Sequence, residues 1–344
     1  MKKAHAVRVT SLDVARLAGV SQSAVSRALT PGASISDAMK RRVTEAAEAL
    51  GYTPNVFARS LITRRSDFIG VVMGEVTNAF YAEVLDRLGR SLQKRGQRVL
   101  FAGAPLDAGP DQAVQELLHY HVAGIVITSA TLSRDMAARC TAAGAPVVLL
   151  NRKPPPGEAS SVRCDSVDGG FLAGDLLARA GHQHFAFIGG LPGAFSSKER
   201  ERGFAQALAT HGKAIAVRAD GGFTYQGGLA AARGLLRRSA PPDAIFCGSD
   251  EMALGTIDAA RVQGLRVPHD VSVIGFDDIP TAAWEGYRLT TIRQPVERMV
   301  ERTLEILFEQ IKQPGSKRVV QQIAGELVVR GSARLPAGYL AATG

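Results

Sequence analysis

The chain has 344 residues, 46% of them hydrophobic and 21% charged, with a formal net charge of +9. That length suits two or three domains, and the composition excludes a disordered chain. No apolar run reaches the roughly 18–20 residues that a membrane span needs. Cys140, Cys164 and Cys247 lie far apart, which excludes a disulfide framework or a CxxC-type metal or redox motif. The first residues are basic but no apolar segment follows them. No signal peptide is therefore expected, and the cytoplasm is the expected compartment. The charge is uneven: residues 1–65 hold 11 Lys/Arg and four acids, a net +7, leaving +2 for the other 279. A basic head on a nearly neutral body is the electrostatic footprint of a module that binds a polyanion.

The head has apolar periodicity, which a solvated basic tail would lack. Leu12, Val14, Ala15, Leu17 and Ala18 form a first helical stripe, with Thr10 or Ser11 as N-cap. Gly19 breaks that helix. Ser21 caps a second, whose apolar face is Val25, Ala28 and Leu29 and whose other face is Gln22, Ser23, Ser26 and Arg27. After Pro31 and Gly32 a third helix begins near residues 34–36, buries Met39, Val43, Ala46 or Ala47 and Leu50, and stops at Gly51. Two short helices joined by a glycine turn and braced by a third follow the helix-turn-helix plan. The second helix would offer Arg27 and Gln22 to base edges in a major groove.

The stretch TSLDVARLAGVSQSAVSRAL, residues 10–29, resembles the DNA-binding segment of the lactose-repressor (LacI/GalR) family, and LGYTPNVFARSL, residues 50–61, resembles the end of its third helix and its hinge. The resemblance implies that Thr10, Ser21, Gln22, Ser23, Ser26 and Arg27 face DNA. It implies too that the hinge folds on the operator, with Leu61 wedging into the minor groove beside Asn55 and Ala58. An apolar wedge costs unstacking and gains a kinked duplex with more contact.

From Phe68 onward short apolar runs alternate with amphipathic stretches. The runs are 69–73, 99–102, 124–128, 147–150, 185–188, 244–247 and 271–276; helix-like stretches include 81–95, 168–180, 200–211, 225–238 and 250–263. This alternation predicts parallel sheets flanked by helices. Residues 68–96 and 184–212 echo each other, so two Rossmann-like lobes with a cleft between them are expected. Ligands in such folds bind beyond the carboxyl ends of the strands.

The body resembles the same family's effector domain, itself similar to periplasmic binding proteins. The pieces that carry the likeness are IGVV at 69–72, NAFYAE at 78–83, GH at 181–182, SDEMALG at 249–255, VSVIGFDD at 271–278 and LTTI at 289–292. The implied organisation is a DNA-binding domain over 1–53, a hinge over 54–65, an effector and dimerisation domain over 66–334 and a tail over 335–344. Lobe one would take 66–162 and 293–320, and lobe two 163–290 and 321–334. By resemblance the cleft residues are Phe80, Tyr81, Thr128, Asn151, Arg152, Arg200, Phe223, Ser249 and Asp277. An Arg200–Asp277 pair would grip ligand hydroxyls. With Arg152 and Arg200 both present, an anionic effector is one expectation beside a neutral sugar.

Catalytic chemistry is not expected. Asp277 and Asp278 are adjacent on a strand end and should point apart. The pairs His119/His121 and His182/His184 lack a third ligand and read as surface histidines, so no metal and no cofactor are expected. The loop at 189–193 is neither a P-loop nor a GxGxxG pattern and reads as a turn at the cleft edge. The tail has no leucine heptad, which favours a homodimer on a pseudopalindromic operator. The leading function is a ligand-responsive transcriptional repressor of a catabolic operon. A solute receptor without DNA function is the alternative, but it would leave the +7 head unexplained. An enzyme on the same fold is a third reading.

Overall fold

The computed structural model describes residues 9–29, 33–53, 66–74, 76–104, 109–128, 132–154 and 157–339. They fall into two units, one within residues 1–67 and one within 68–344.

In the first unit α1 (Ser11–Ala18), α2 (Gln22–Ala28) and α3 (Asp37–Ala49) enclose a small core of Val14, Ala15, Ala18, Val25, Ala28, Val43, Ala46 and Ala47. Each start is capped. Asp13 accepts the Thr10 amide at 3.0 Å and its hydroxyl at 2.7 Å, which holds the Asp13 carboxyl below the ordinary range. Ser21 and Ser36 accept amides of α2 and α3. Gly19 ends α1 in the left-handed region at φ 62°, and the Arg42 guanidinium bonds the orphan Ala18 carbonyl beside it at 2.5 Å. The expected α1 stripe is narrower than its apolar residues suggest: Leu12 and Leu17 are 56% and 57% exposed. Val14, Ala15 and Ala18 alone fill the space that small α2 residues leave.

The hinge residues Asn55, Ala58 and Leu61 lie outside the described residues.

The second unit is built on two six-stranded sheets. In the first, β1 (Phe68–Met73), β2 (Arg98–Gly103), β3 (Gly124–Ile127), β4 (Val147–Leu150), β5 (Ser160–Cys164) and β11 (Val320–Ile323) run parallel in the order β11-β5-β4-β3-β1-β2. Helices α4 (Ala79–Lys94), α5 (Asp111–His119), α6 (Arg134–Ala142) and α11 (Val296–Lys312) belong to this lobe.

In the second sheet β6 (Phe185–Gly189), β7 (Ile215–Asp220), β8 (Ala244–Cys247), β9 (Ser272–Asp277), β10 (Thr290–Arg293) and β12 (Glu326–Val328) take the order β12-β10-β9-β8-β6-β7, with only the β10–β12 pair antiparallel. Its helices are α7 (Ser166–Arg179), α8 (Phe195–Thr210), α9 (Tyr225–Leu236) and α10 (Asp250–Val262).

The chain passes between the lobes three times, after β5, after β10 and after β11. β5 and β11 reach Cys164 and Ile323 within the first sheet, so the first and last passes fall a few residues later than the boundaries at 162 and 320. The central strands β1, β3, β4, β6, β8 and β9 are buried along their whole length, as parallel strands covered on both faces must be.

Two details position the ligand-facing side chains. Helices α7 and α8 approach unusually closely. A Cβ at Gly203 would lie 1.9 Å from the Val167 carbonyl oxygen, and one at Gly170 would lie 2.1 Å from the Arg200 oxygen. Glycine at the crossing lets α8 sit low enough to bring Arg200 to the sheet ends. The second detail corrects the histidine reading. His182 is fully buried, with Nδ1 2.7 Å from the Arg334 guanidinium and 3.3 Å from Asp243. Burial holds its pKa below the ordinary value. It ties the turn before β6 to the C-terminal segment, whereas His119, His121 and His184 are exposed as expected.

Candidate functional site

Two surfaces carry the chemistry. On the first unit, α2 buries Ala24, Val25 and Ala28 and exposes Gln22, Ser23, Ser26 and Arg27. Some of the residues expected at DNA also hold the unit together. Ser21 caps α2 and lies 2.9 Å from the Ser23 hydroxyl. The Gln22 amide donates to Ser11 at 2.9 Å, tying α2 to α1. The Thr10 hydroxyl is turned to Asp13. Arg27 is exposed in the last turn, where its fork of donors faces outward from a braced helix. α2 is therefore a short, rigid helix with a polar exposed face, of a size that fits a major groove.

On the second unit a cavity of about 330 Å³ opens between the lobes. Of the nine expected residues, eight line it: Phe80, Tyr81, Asn151 and Arg152 from the first lobe, and Arg200, Phe223, Ser249 and Asp277 from the second. Thr128 does not. It is fully buried at the end of β3 and its hydroxyl donates back to the Val72 carbonyl at 3.4 Å, so it belongs to the sheet. Asn78, Lys153, Phe195, Ser196 and Gln294 also line the cavity and were not expected. Phe195 follows the 189–193 turn at the cleft edge, and Gln294 follows β10, a strand whose polar sequence hid it.

The floor is a network of buried charges. The Arg200 guanidinium, 3% exposed, lies 3.3 Å from Asp277, donates to the Gly248 carbonyl and stacks 3.7 Å above the Phe276 ring. The Gln294 amide donates to Asp277 at 2.7 Å. Burial pushes the Asp277 carboxyl up to about 6, against the pull of Arg200 and Gln294. Beneath it Asp250, wholly buried, accepts the Ile279 amide at 2.9 Å and the Thr291 hydroxyl, and burial with the charge of Asp277 pushes it up to about 8. Asp278 points elsewhere, to Arg293 at 2.7 Å and Arg330 at 2.6 Å, so the adjacent acids do not share a proton. Arg200 Nε and Gln294 Oε1, one donor and one acceptor, are buried here without a protein partner. A hydroxyl can accept from a donor such as Arg200 Nε or donate to an acceptor such as Gln294 Oε1.

The walls come from different lobes, and side-chain contacts bridge them. Glu251 on α10 accepts the Ala79 amide at the start of α4 at 3.1 Å. Arg163 on β5 pairs with Glu199 on α8 at 2.6 Å, both largely buried. Among the described residues no group of His, Cys, Asp and Glu could hold a metal ion, and no helix is long and apolar enough to cross a membrane.

Comparison with known proteins agrees with this arrangement. Residues 10–55 match the family "Bacterial regulatory proteins, lacI family", and residues 175–333 match the "Periplasmic binding protein-like domain". The chain is 31% identical over 332 residues to the probable HTH-type transcriptional repressor ExuR of Bacillus subtilis (strain 168), covering 95% of this chain and 98% of that protein. Among solved structures it superposes on the lac repressor dimer bound to operator and the anti-inducer ONPF with a TM-score of 0.83 at 26% identity, covering 95% and 99% of the two chains. It also superposes on the complex of the transcriptional regulator CelR with cellobiose, with a TM-score of 0.70 at 32% identity, covering 95% and 100%. With both its exposed α2 face and its interlobe cavity set in matching regions, this chain belongs to the lacI family of bacterial regulatory proteins.

Proposed function

We propose that the chain is a transcriptional repressor of a catabolic operon that binds a pseudopalindromic operator as a homodimer and changes its operator affinity when a small hydroxylated metabolite occupies the interlobe cavity. The observation that carries this reading is the cavity floor. There Arg200, Asp277 and Gln294 present a buried donor and acceptor for a ligand hydroxyl, in a chain whose other unit is a helix-turn-helix. Arg27, Gln22, Ser23 and Ser26 are the residues proposed to meet DNA, with Thr10 and Ser21 supporting them. Asp277, the one carboxylate among the described residues lining the cavity, is engaged by Arg200 and Gln294, which suits binding rather than proton transfer, so regulation and not catalysis is its task. Its place of work is the bacterial cytoplasm, on DNA.

The coupling is a two-state linkage. A ligand that favours the lobe arrangement incompatible with DNA induces, and one that favours the compatible arrangement co-represses. The test is selection of binding sites from a random duplex library, with and without pooled metabolites. A palindrome with two half-sites, whose enrichment changes with a metabolite pool, is expected. No enrichment under either condition overturns the reading. Deleting residues 1–65 should abolish DNA binding and leave ligand binding.

A further inference from the structure

We propose that Arg163 is a positioning residue that ties the angle between the lobes to ligand occupancy: from the first lobe it holds the opening turns of α8, which carry Phe195 and Arg200 to the cavity. The inference rests on the effector reading above and deepens it, to how occupancy is felt between the lobes. The Arg163 guanidinium on β5 donates to Glu199 on α8 at 2.6 Å, and the two side chains are 12% and 7% exposed. The same guanidinium lies 5.2 Å from the centroid of the Phe195 ring, and Phe195 lines the cavity. Glu199 is followed directly by Arg200, which reaches Asp277 on the cavity floor. This end of α8 is therefore held by the first lobe through Phe195 and Glu199, and presented to ligand through Phe195 and Arg200.

Arg163 also stands where the lobes pivot. The chain leaves the first lobe after Cys164 and again after Ile323, and these strand ends pair in register, Arg163 beside Gln322 and Cys164 beside Ile323. Arg202, 3.6 Å from Glu199, lies on α8 itself and moves with it, so the contact that senses the other lobe is the one to Arg163. A charge-assisted bond of this length is lost when its ends part by about 1 Å. Both groups are desolvated, and burial raises the Glu199 carboxyl above its ordinary value. Parting them leaves Arg163 buried without its counter-charge. The pair therefore switches rather than stretches, and a small rotation of the lobes about their crossing strands passes between two discrete arrangements.

Hydrogen exchange of the free full-length protein, read residue by residue in a mass spectrometer, tests this without any ligand. The reporter is the Ala79 amide at the start of α4, a first-lobe group that donates to Glu251 of the second lobe at 3.1 Å. A merely local role for Arg163 would not move it. In Arg163→Gln and in Glu199→Gln, exchange at Ala79 and over residues 195–199 is expected to rise tenfold or more, while the buried strands β1, β3, β6 and β8 exchange as in the wild type. The double variant Arg163→Gln, Glu199→Gln strands no charge and serves where a single variant does not fold. It should show the same rise at Ala79, no larger than in the faster single variant, because the two changes break one interaction. Exchange at Ala79 within twofold of the wild type in the double variant overturns the proposal. So do acceleration spread evenly over both sheets, and single effects that multiply in the double variant. Failure of the effector reading shows differently, as operator occupancy that no metabolite pool changes.

Discussion

The crossing of α7 and α8 makes a sharp mutational prediction. In Gly203→Ala the new methyl would stand 1.9 Å from the Val167 carbonyl oxygen and 2.8 Å from its carbon. Ordinary carbon–oxygen contact is near 3.3 Å, so the helices would have to part by a little over 1 Å. Backbone cannot swing aside as a flexible side chain can. Overpacking of this kind costs about 3 kcal/mol, or roughly 6–12 °C in thermal midpoint for a unit of this size. The damage should reach the ligand, because Arg200 lies one turn before Gly203 and its 3.3 Å approach to Asp277 depends on where α8 sits. The control is Gly234→Ala, an exposed glycine in α9 with no atom within 4 Å of the added methyl. That change should stabilise by up to about 1 kcal/mol through helix propensity. Differential scanning calorimetry of both variants, followed by ligand titration, reads the contrast. If Gly203→Ala melts with Gly234→Ala, the close crossing does not set the height of Arg200.

Three further outcomes are expected. Arg27→Ala should weaken operator binding by about 1–3 kcal/mol and relax one operator position, read by gel shift against single-base variants, with no change in melting. Asp277→Asn should remove the ligand response while leaving operator affinity intact, measured by fluorescence anisotropy with and without ligand. Stability should fall between pH 7 and pH 8. Asp250 at about 8 lies above its unfolded value near 4, so the folded chain holds a proton that the unfolded chain has lost, and this advantage is spent as pH rises through 8. The loss is about 1 kcal/mol in urea unfolding and should shrink in Asp250→Asn. His182, held neutral by burial, acts in the opposite sense, but only as pH rises through its unfolded value near 6.5.

What could be read in the sequence follows from how each element is buried. Strands β1, β3, β4, β6, β8 and β9 announce themselves as apolar runs because both faces are covered. β5, β7 and β11 carry Ser, Arg, Asp and Gln, and β11 and β7 are sheet edges with exposed positions, so no run marks them. Helix α11 escaped although Val296, Met299, Val300, Leu304 and Leu307 form its buried face. Of the eight cleft residues placed in one cavity, Phe80, Tyr81, Ser249 and Asp277 lie in the family-like motifs, whereas Asn151, Arg152, Arg200 and Phe223 are carried over from the resemblance by position. Gln294 and Lys153 lack such a motif, and only the fold brings them there. His182 misled because a histidine beside a glycine turn usually meets water, and here the returning C-terminal segment covers it with Arg334.

The three passes between lobes have a consequence for synthesis. The first sheet needs β11, and its helix layer needs α11, both encoded after the whole of β6 to β10. A ribosome delivers residues in order, so the lobe that begins first cannot be completed first. For most of translation its β5 edge lacks the β11 partner, and the faces of β3, β4 and β5 that α11 covers stand bare. The last fifty residues of the chain close both lobes almost at once. Premature termination between Arg293 and Val296 leaves a second lobe that lacks only its β12 edge and C-terminal segment, joined to a first lobe lacking both α11 and β11, a product suited to capture by chaperones and proteases rather than to DNA binding.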